Sequence, residues 1–195
     1  MTKLPAAYYR QHDVLFLSND LLGKKLVTHI DGAFTSGVIT ETEAYTGAHD
    51  RASHAWGGRR TARTETMYNA GGVAYVYLCY GMHALFNIVT GERGNPQAIL
   101  IRAVFPLEGI EIIRRRRNHI TNNLANGPGK LTQALGINTR MDGIPLTGNV
   151  IWLEDYLQVE DKQINRGPRI GVEYAGEDAS LAYRFWFDFI PEIKD

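Results

Sequence analysis

Apolar side chains recur along this chain with two different periods. Between Asp13 and Gly23 they fall at positions 14, 17, 21 and 22, a near-helical spacing that predicts a short helix ending at Gly23. The run Lys24-Lys-Leu-Val-Thr-His-Ile30 then predicts a strand, Asp31-Gly32 a hairpin turn, and Ala33 to Tyr45 the return strand. With a period of two, Glu41, Glu43 and Tyr45 share one face of that return strand. Residues 46–72 lack clear periodicity and are rich in Gly, Arg, Ser, Thr and Asn, which predicts a long loop of the kind reserved for binding work. Val73 to Tyr80, Leu85 to Val89 and Gln97 to Val104 read as further strands, with Gly81 supplying a turn after Tyr80. Helical spacing is expected over Leu107–Arg117 and Gly129–Gly136, and terminal strands over 150–153, 170–174 and 184–189. Many hairpin-linked strands with few helices predict an α+β fold: one mixed domain over residues 1–195, with a mainly antiparallel β-sheet and peripheral helices.

Composition narrows the class. The chain has 195 residues, 44% hydrophobic and 22% charged, the balance of a folded domain rather than a disordered chain. Its 21 basic and 21 acidic side chains cancel, which excludes a uniformly basic nucleic-acid binder. The cancellation hides a polarised chain. Residues 51–130 hold eleven basic side chains against four acidic, a balance of +7, and residues 141–195 hold five against eleven, a balance of −6. The basic block suits a phosphate backbone, although Arg114 to Arg117 alone also read as a solvated helix face. The lone Cys79 excludes a disulfide scaffold and reads as core packing. No apolar run has the length of a membrane span and no leader pattern opens the chain, so a soluble intracellular protein is expected.

Candidate chemistry gathers around Thr40-Glu-Thr-Glu-Ala-Tyr45 and the loop bearing His49, Asp50 and His54. A carboxylate at the edge of a partly dry pocket orients and deprotonates water, which gives Glu43 a role as base with Glu41 as its neighbour. Two strand glutamates facing water is the competing reading. Tyr75 and Tyr77 lie on one face of their strand and Tyr80 on the other, at a turn that exposes it. Such rings either pack a core or stack on a nucleobase, the latter worth roughly 1–3 kcal/mol per base. His49, Asp50 and His54 also offer metal-ligand chemistry, without an HExxH helix or cysteine pair beside them. Gly127-Pro-Gly-Lys130 before a helix offers backbone N–H groups to a phosphate but lacks Walker spacing.

Taken in order, Glu41-Thr-Glu-Ala-Tyr45, His54-Ala-Trp-Gly-Gly-Arg59, Tyr75-Val-Tyr-Leu-Cys-Tyr-Gly-Met82, Asn87-Ile, Ile101-Arg-Ala103, Pro106-Leu-Glu-Gly109, Gly127-Pro-Gly-Lys-Leu131 and Gln133-Ala-Leu135 resemble the alkyladenine (3-methyladenine) DNA glycosylase family. The likeness continues to Arg169-Ile-Gly-Val172 and Ala175-Gly-Glu177. It implies a single mixed domain with a curved, mainly antiparallel β-sheet, and a monomer in the bacterial cytoplasm, associated with the nucleoid, that acts on double-stranded DNA containing damaged purines and needs no cofactor, metal, membrane or obligate protein partner. It implies Glu43 as the general base, Tyr45, His54 and Tyr77 as walls around an extruded base, and Asn87 as the obstacle to the amine of normal guanine. Tyr80 would enter the duplex in place of the flipped nucleotide, and Met82, Arg102 and Lys130 would contact DNA. Relative to the human-type members there is no long N-terminal extension, and Gly91-Glu-Arg-Gly-Asn-Pro96 is a loop of different length, which suggests a compact bacterial-type member. The alternatives are a non-catalytic nucleic-acid-binding module, related in fold to RNA-binding domains of formyltransferases, and a metal-dependent hydrolase acting through His49, Asp50 and His54.

Overall fold

The computed structural model describes residues 2–10 and 13–189. The first helix, α1 (Val14–Asp20), starts where the Asp13 carboxylate accepts hydrogen bonds from the Leu15 and Phe16 N–H groups at 2.9 and 3.0 Å, satisfying two donors the helix itself leaves free. Strands β1 (Lys25–Ile30) and β2 (Ala33–Tyr45) form the expected hairpin around Asp31-Gly32, both at positive φ as a type I′ turn requires. They are followed by β3 (Ala74–Cys79), β4 (His83–Thr90), β5 (Gln97–Glu108), helices α2 (Ile110–Arg116) and α3 (Pro128–Leu135), and strands β6 (Ile151–Glu154), β7 (Asn165–Gly167) and β8 (Arg184–Trp186).

All pairings among these strands are antiparallel, in the order β3-β4-β5-β2-β1-β6, with β8 pairing β2 and β7. This is the α+β class expected. Register shifts at Ser36/Gly37, Ile39/Glu41 and Glu41/Thr42 interrupt the β2–β5 ladder, and such bulges bend a strand and increase its twist.

Alternation along the strands sorts side chains between two faces. On one face Ala44, Val76, Phe86, Ile88, Ile99 and Ile101 join Val14 and Leu17 of α1, Ile113 of α2 and Leu131 and Leu135 of α3 in the main core. Each of the larger of these side chains removed from water contributes about 1.5–3 kcal/mol. On the opposite face Tyr75, Val89 and Ala98 pack with Met67 and Tyr68 from the loop after β2. That loop is not featureless: it holds 3₁₀ turns at Trp56–Gly58 and Glu65–Tyr68.

Four expectations are corrected. Leu107 and Glu108 belong to β5 rather than to a helix, because Glu108 pairs with Ser36 and accepts its hydroxyl at 2.6 Å. Helix α2 begins only after Gly109, whose φ of 71° permits the break; a Cβ there would sit 2.4 Å from the Phe34 carbonyl oxygen. Residues 170–174 form no strand, since the Ile170 N–H is spent on a carboxylate and a 3₁₀ helix starts at Glu173. Cys79 ends β3 half-buried on a cavity wall, outside the core. No helix among the described residues is long and apolar enough to cross a membrane.

Candidate active site

One rung of the sheet builds the floor of the site. Tyr75 pairs with Asn87, Asn87 with Leu100 and Leu100 with Glu43, so four strands deliver these side chains in a row to the face away from the helices. Above them lies a cavity of about 840 Å³, inside the roughly 300–1,000 Å³ range of small-molecule sites. Glu43, Tyr45, His54, Tyr77, Tyr80, Asn87, Arg102 and Lys130 all line it. Glu41 shares the strand face of Glu43 and Tyr45, as expected: the β2–β8 register runs unbroken through Glu41, Thr42 and Glu43, and Arg102 reaches both carboxylates. Its carboxylate lines not this cavity but a second one, of about 600 Å³.

Glu43 is wholly removed from bulk water. Its Oε1 accepts the Ile170 N–H at 2.8 Å and faces an Arg102 guanidinium nitrogen at 3.1 Å, and its Oε2 accepts the Tyr45 hydroxyl at 2.9 Å. A carboxylate offers about four lone-pair directions. Hydrogen bonds take one on each oxygen and the Arg102 ion contact lies at Oε1, leaving one on Oε2. Burial raises the Glu43 pKa above the ordinary glutamate value, only partly offset by Arg102, the Ile170 N–H and the Tyr45 hydroxyl. Burial and the Glu43 charge push the Tyr45 hydroxyl well above its usual value, so it remains a donor.

The walls are aromatic. Tyr77 lies edge-to-face with His54, centroids 4.6 Å apart, and tilted against Tyr75 at 5.3 Å. His54 Nδ1 bonds the Tyr75 hydroxyl at 2.9 Å. Burial, with Arg63 and Arg59 nearby, lowers the His54 pKa to about 4, so the ring is neutral at physiological pH. Behind Tyr45, the Arg169 guanidinium sits 4.8 Å from the ring centroid and 5.2 Å from that of Tyr183. Arg169 pairs through both terminal nitrogens with buried Asp50, one bond measuring 2.8 Å, and donates to the Ala44 carbonyl at 2.9 Å. Asp50 also accepts the Thr46 and Ala52 N–H groups at 3.0 Å each. This pair locks the strand end carrying Glu43 and Tyr45 to the segment carrying Ile170.

At the mouth, the β3–β4 turn presents Tyr80, 88% exposed, with φ of 49°, and Met82, 73% exposed and outside the cavity lining. The turn closes through the Met82 N–H on the Cys79 carbonyl. Lys130 is exposed near the start of α3, whose first turn has no side-chain cap at Gly127. Asn87 is buried, its amide nitrogen donating to the Tyr75 carbonyl at 3.1 Å. Arg102 is largely buried and held by Glu41 and Glu43.

Asp50 serves Arg169, His54 serves Tyr75 and His49 is exposed, so the three do not assemble; among the described residues no group of three or more His, Cys, Asp or Glu is placed to hold a metal. Of Arg114 to Arg117, Arg116 and Arg117 bind the Ala134 and Leu124 carbonyls, and Arg117 reaches the cavity. Reading the strands alone misses Arg63, Ile170, Tyr174 and the anchoring role of Arg169. They come from irregular segments, where no period marks a face.

Residues 7–189 match the family model described as methylpurine-DNA glycosylase. A Chlamydia abortus protein named "Putative 3-methyladenine DNA glycosylase" is 45% identical over 185 residues, covering 93% of this chain and 96% of that protein. Proteins of the same name from Bacillus thuringiensis and Bacillus cereus are each 43% identical over 201 residues, covering 97% of this chain and 98% of theirs.

Proposed function

This chain belongs to the methylpurine-DNA glycosylase family, and from that premise we propose that it excises alkylated or deaminated purines from double-stranded DNA by Glu43-directed hydrolysis of the N-glycosidic bond. The observation that carries this reading is the single unclaimed lone-pair direction on a desolvated carboxylate at the floor of an aromatic cavity.

A stacked nucleotide hides its C1′ atom, so the base must leave the helix, at a cost of a few kcal/mol that a damaged pair reduces. Tyr80 fills the gap, and Met82, Lys130 and the uncapped start of α3 meet the DNA around it. The everted purine stacks between Tyr45 on one side and His54 and Tyr77 on the other. An electron-poor alkylated purine gains more from these rings than an ordinary base does. Asn87, fixed by the Tyr75 carbonyl, stands where the exocyclic amine of an undamaged guanine would clash.

Water held on Glu43 Oε2 then attacks C1′ as the bond to the purine nitrogen breaks and its electron pair leaves with the base. Glu43 takes the water proton, and its negative charge stabilises the oxocarbenium-like sugar between those events. The products are a free base and an abasic site. A cationic 3-methyladenine or 7-methylguanine departs neutral without an acid. Neutral hypoxanthine or ethenoadenine depends on hydrogen bonding in the pocket, because His54 is unprotonated there. The chain then acts as one catalytic domain, residues 1–195, and as a monomer beside the bacterial nucleoid.

Incubation with alkylated duplex DNA, followed by separate detection of free base and abasic sites, tests it. Free 3-methyladenine with unbroken strands is expected. Strand cleavage in step with base release would demand an amine nucleophile instead, and no release at all would leave a nucleic-acid-binding module.

A further inference from the structure

Glu41 has no part in the chemistry above, yet it makes two of the three pairs in an ion network that ends on Glu43. Its Oε1 accepts Arg102 Nε at 3.0 Å and an Arg184 guanidinium nitrogen at 3.0 Å, while a different Arg102 nitrogen faces Glu43 at 3.1 Å. The order Arg184, Glu41, Arg102, Glu43 therefore alternates in sign from the second cavity to the first. Arg184 is itself fixed, 4.1 Å from the Trp186 ring centroid and donating to the Pro168 carbonyl at 2.9 Å.

A guanidinium beside a carboxylate prefers a two-pronged pairing that uses both oxygens. Arg102 does not make that pairing with Glu43. Its Nε is engaged by Glu41, and the contact with Glu43 is made by a terminal nitrogen, 3.1 Å from Oε1. We propose that Glu41 is a positioning residue for hydrolysis: by holding Arg102 sideways it keeps Oε2 of Glu43 open to water, and Arg184 sets how much of the Glu41 charge Arg102 must share. Without Glu41, Arg102 is free to fork onto Glu43, occupying the water-binding oxygen and making the base weaker.

The other groups facing Glu43 are Tyr45 on its own strand, Arg169 after β7 and Tyr174 in the 3₁₀ helix at 173–180. None of them changes in the following test. The inference rests on the glycosylase reading, so single-turnover excision of hypoxanthine from a duplex is followed against pH for wild type, Glu41→Gln, Arg184→Gln and Glu43→Gln, with duplex affinity measured by fluorescence anisotropy.

For Glu41→Gln the plateau rate falls about 10- to 100-fold, the scale of a misplaced reacting group, while affinity holds. Its acid limb moves to lower pH, because a negative neighbour of Glu43 is gone. Arg184→Gln removes a cation and leaves Glu41 wholly to Arg102, so its acid limb moves to higher pH. A merely structural ion network lowers melting temperature in both variants and moves neither limb, and that result overturns the proposal. Arg184 is the most exposed member of the network, so the upward shift of its variant decides the matter even where Glu41→Gln fails to fold. An inactive wild type, or full activity in Glu43→Gln, sinks the glycosylase reading itself; an inactive Glu43→Gln beside two unmoved limbs sinks only the role of Glu41.

Discussion

The hydroxyl of Tyr45 donates to Oε2 of Glu43 at 2.9 Å, so the ring that walls the cavity also steers the carboxylate at its floor. The two sit two residues apart on one strand, and the bond makes them a single unit. Removing the hydroxyl while keeping the ring separates the two tasks. Tyr45→Phe should bind lesion duplex as wild type does. The lost donor stabilised the charged carboxylate, so the Glu43 pKa rises further and the acid limb of excision moves to higher pH. A rate–pH profile with the limb unmoved would show that the hydroxyl does not act on the base.

Glu43 itself carries a trade between activity and stability. Its replacement by Gln should lower excision about 10²- to 10⁴-fold, the usual worth of a general base, with lesion affinity retained. The same variant should melt at a higher temperature near neutral pH. The folded-state pKa is raised, so between the unfolded value and the raised one the native state holds a proton that the unfolded chain has released, and stability falls as pH rises through that window. Glutamine carries no such loss. For a chain of this length each kcal/mol regained moves the midpoint by about 2–4 °C, readable by calorimetry at pH 5 and pH 8.

Period-two alternation makes the cavity face legible: Glu43 and Tyr45, Tyr75 and Tyr77 all line the cavity, as their strand positions require. It also puts Glu41 on that face, yet gives no sign that Glu41 lines a second cavity, whose walls come from β5, β8 and the segment after α2. The Leu107–Arg117 spacing looked helical because Leu107 and Ile110 stand three apart, yet pairing of Glu108 with Ser36, far away in sequence, decides the strand. Arg169 and Ile170 reach the site through tertiary contacts of an irregular segment, for which local sequence carries no signal. Apart from Met82, the residues the family resemblance names line the cavity, but the resemblance gives no hint that Arg102 is shared by two carboxylates.

The buried Arg169–Asp50 pair predicts a large stability effect from a small change. Asp50→Asn leaves a guanidinium uncompensated in a site without solvent, which costs about 3–5 kcal/mol. At the scaling above this lowers the melting temperature by roughly 6–20 °C. Because the pair ties Ala44 to the Ile170 segment, the surviving folded protein should also excise more slowly, with the loss in rate rather than in duplex affinity. A melting temperature within a degree or two of wild type would show that the pair is not the clamp its geometry describes.

Tyr80 predicts the opposite pattern, function lost without stability. Its side chain is 88% exposed, so truncation removes almost no packing, and its backbone sits at φ 49°, where an L-residue bears a penalty of roughly 1–2 kcal/mol that glycine escapes. Tyr80→Gly should therefore melt no lower than wild type, and somewhat higher if the turn relaxes. Excision from a duplex should fall, because nothing then occupies the gap left by the everted nucleotide and the base returns to its stack before hydrolysis. A lesion in single-stranded DNA leaves no gap to fill. Wild type and variant should process it at equal rates, so the ratio of duplex to single-strand turnover isolates the wedge. An unchanged ratio would assign Tyr80 to some other contact, since the strained turn alone cannot slow one substrate and spare the other.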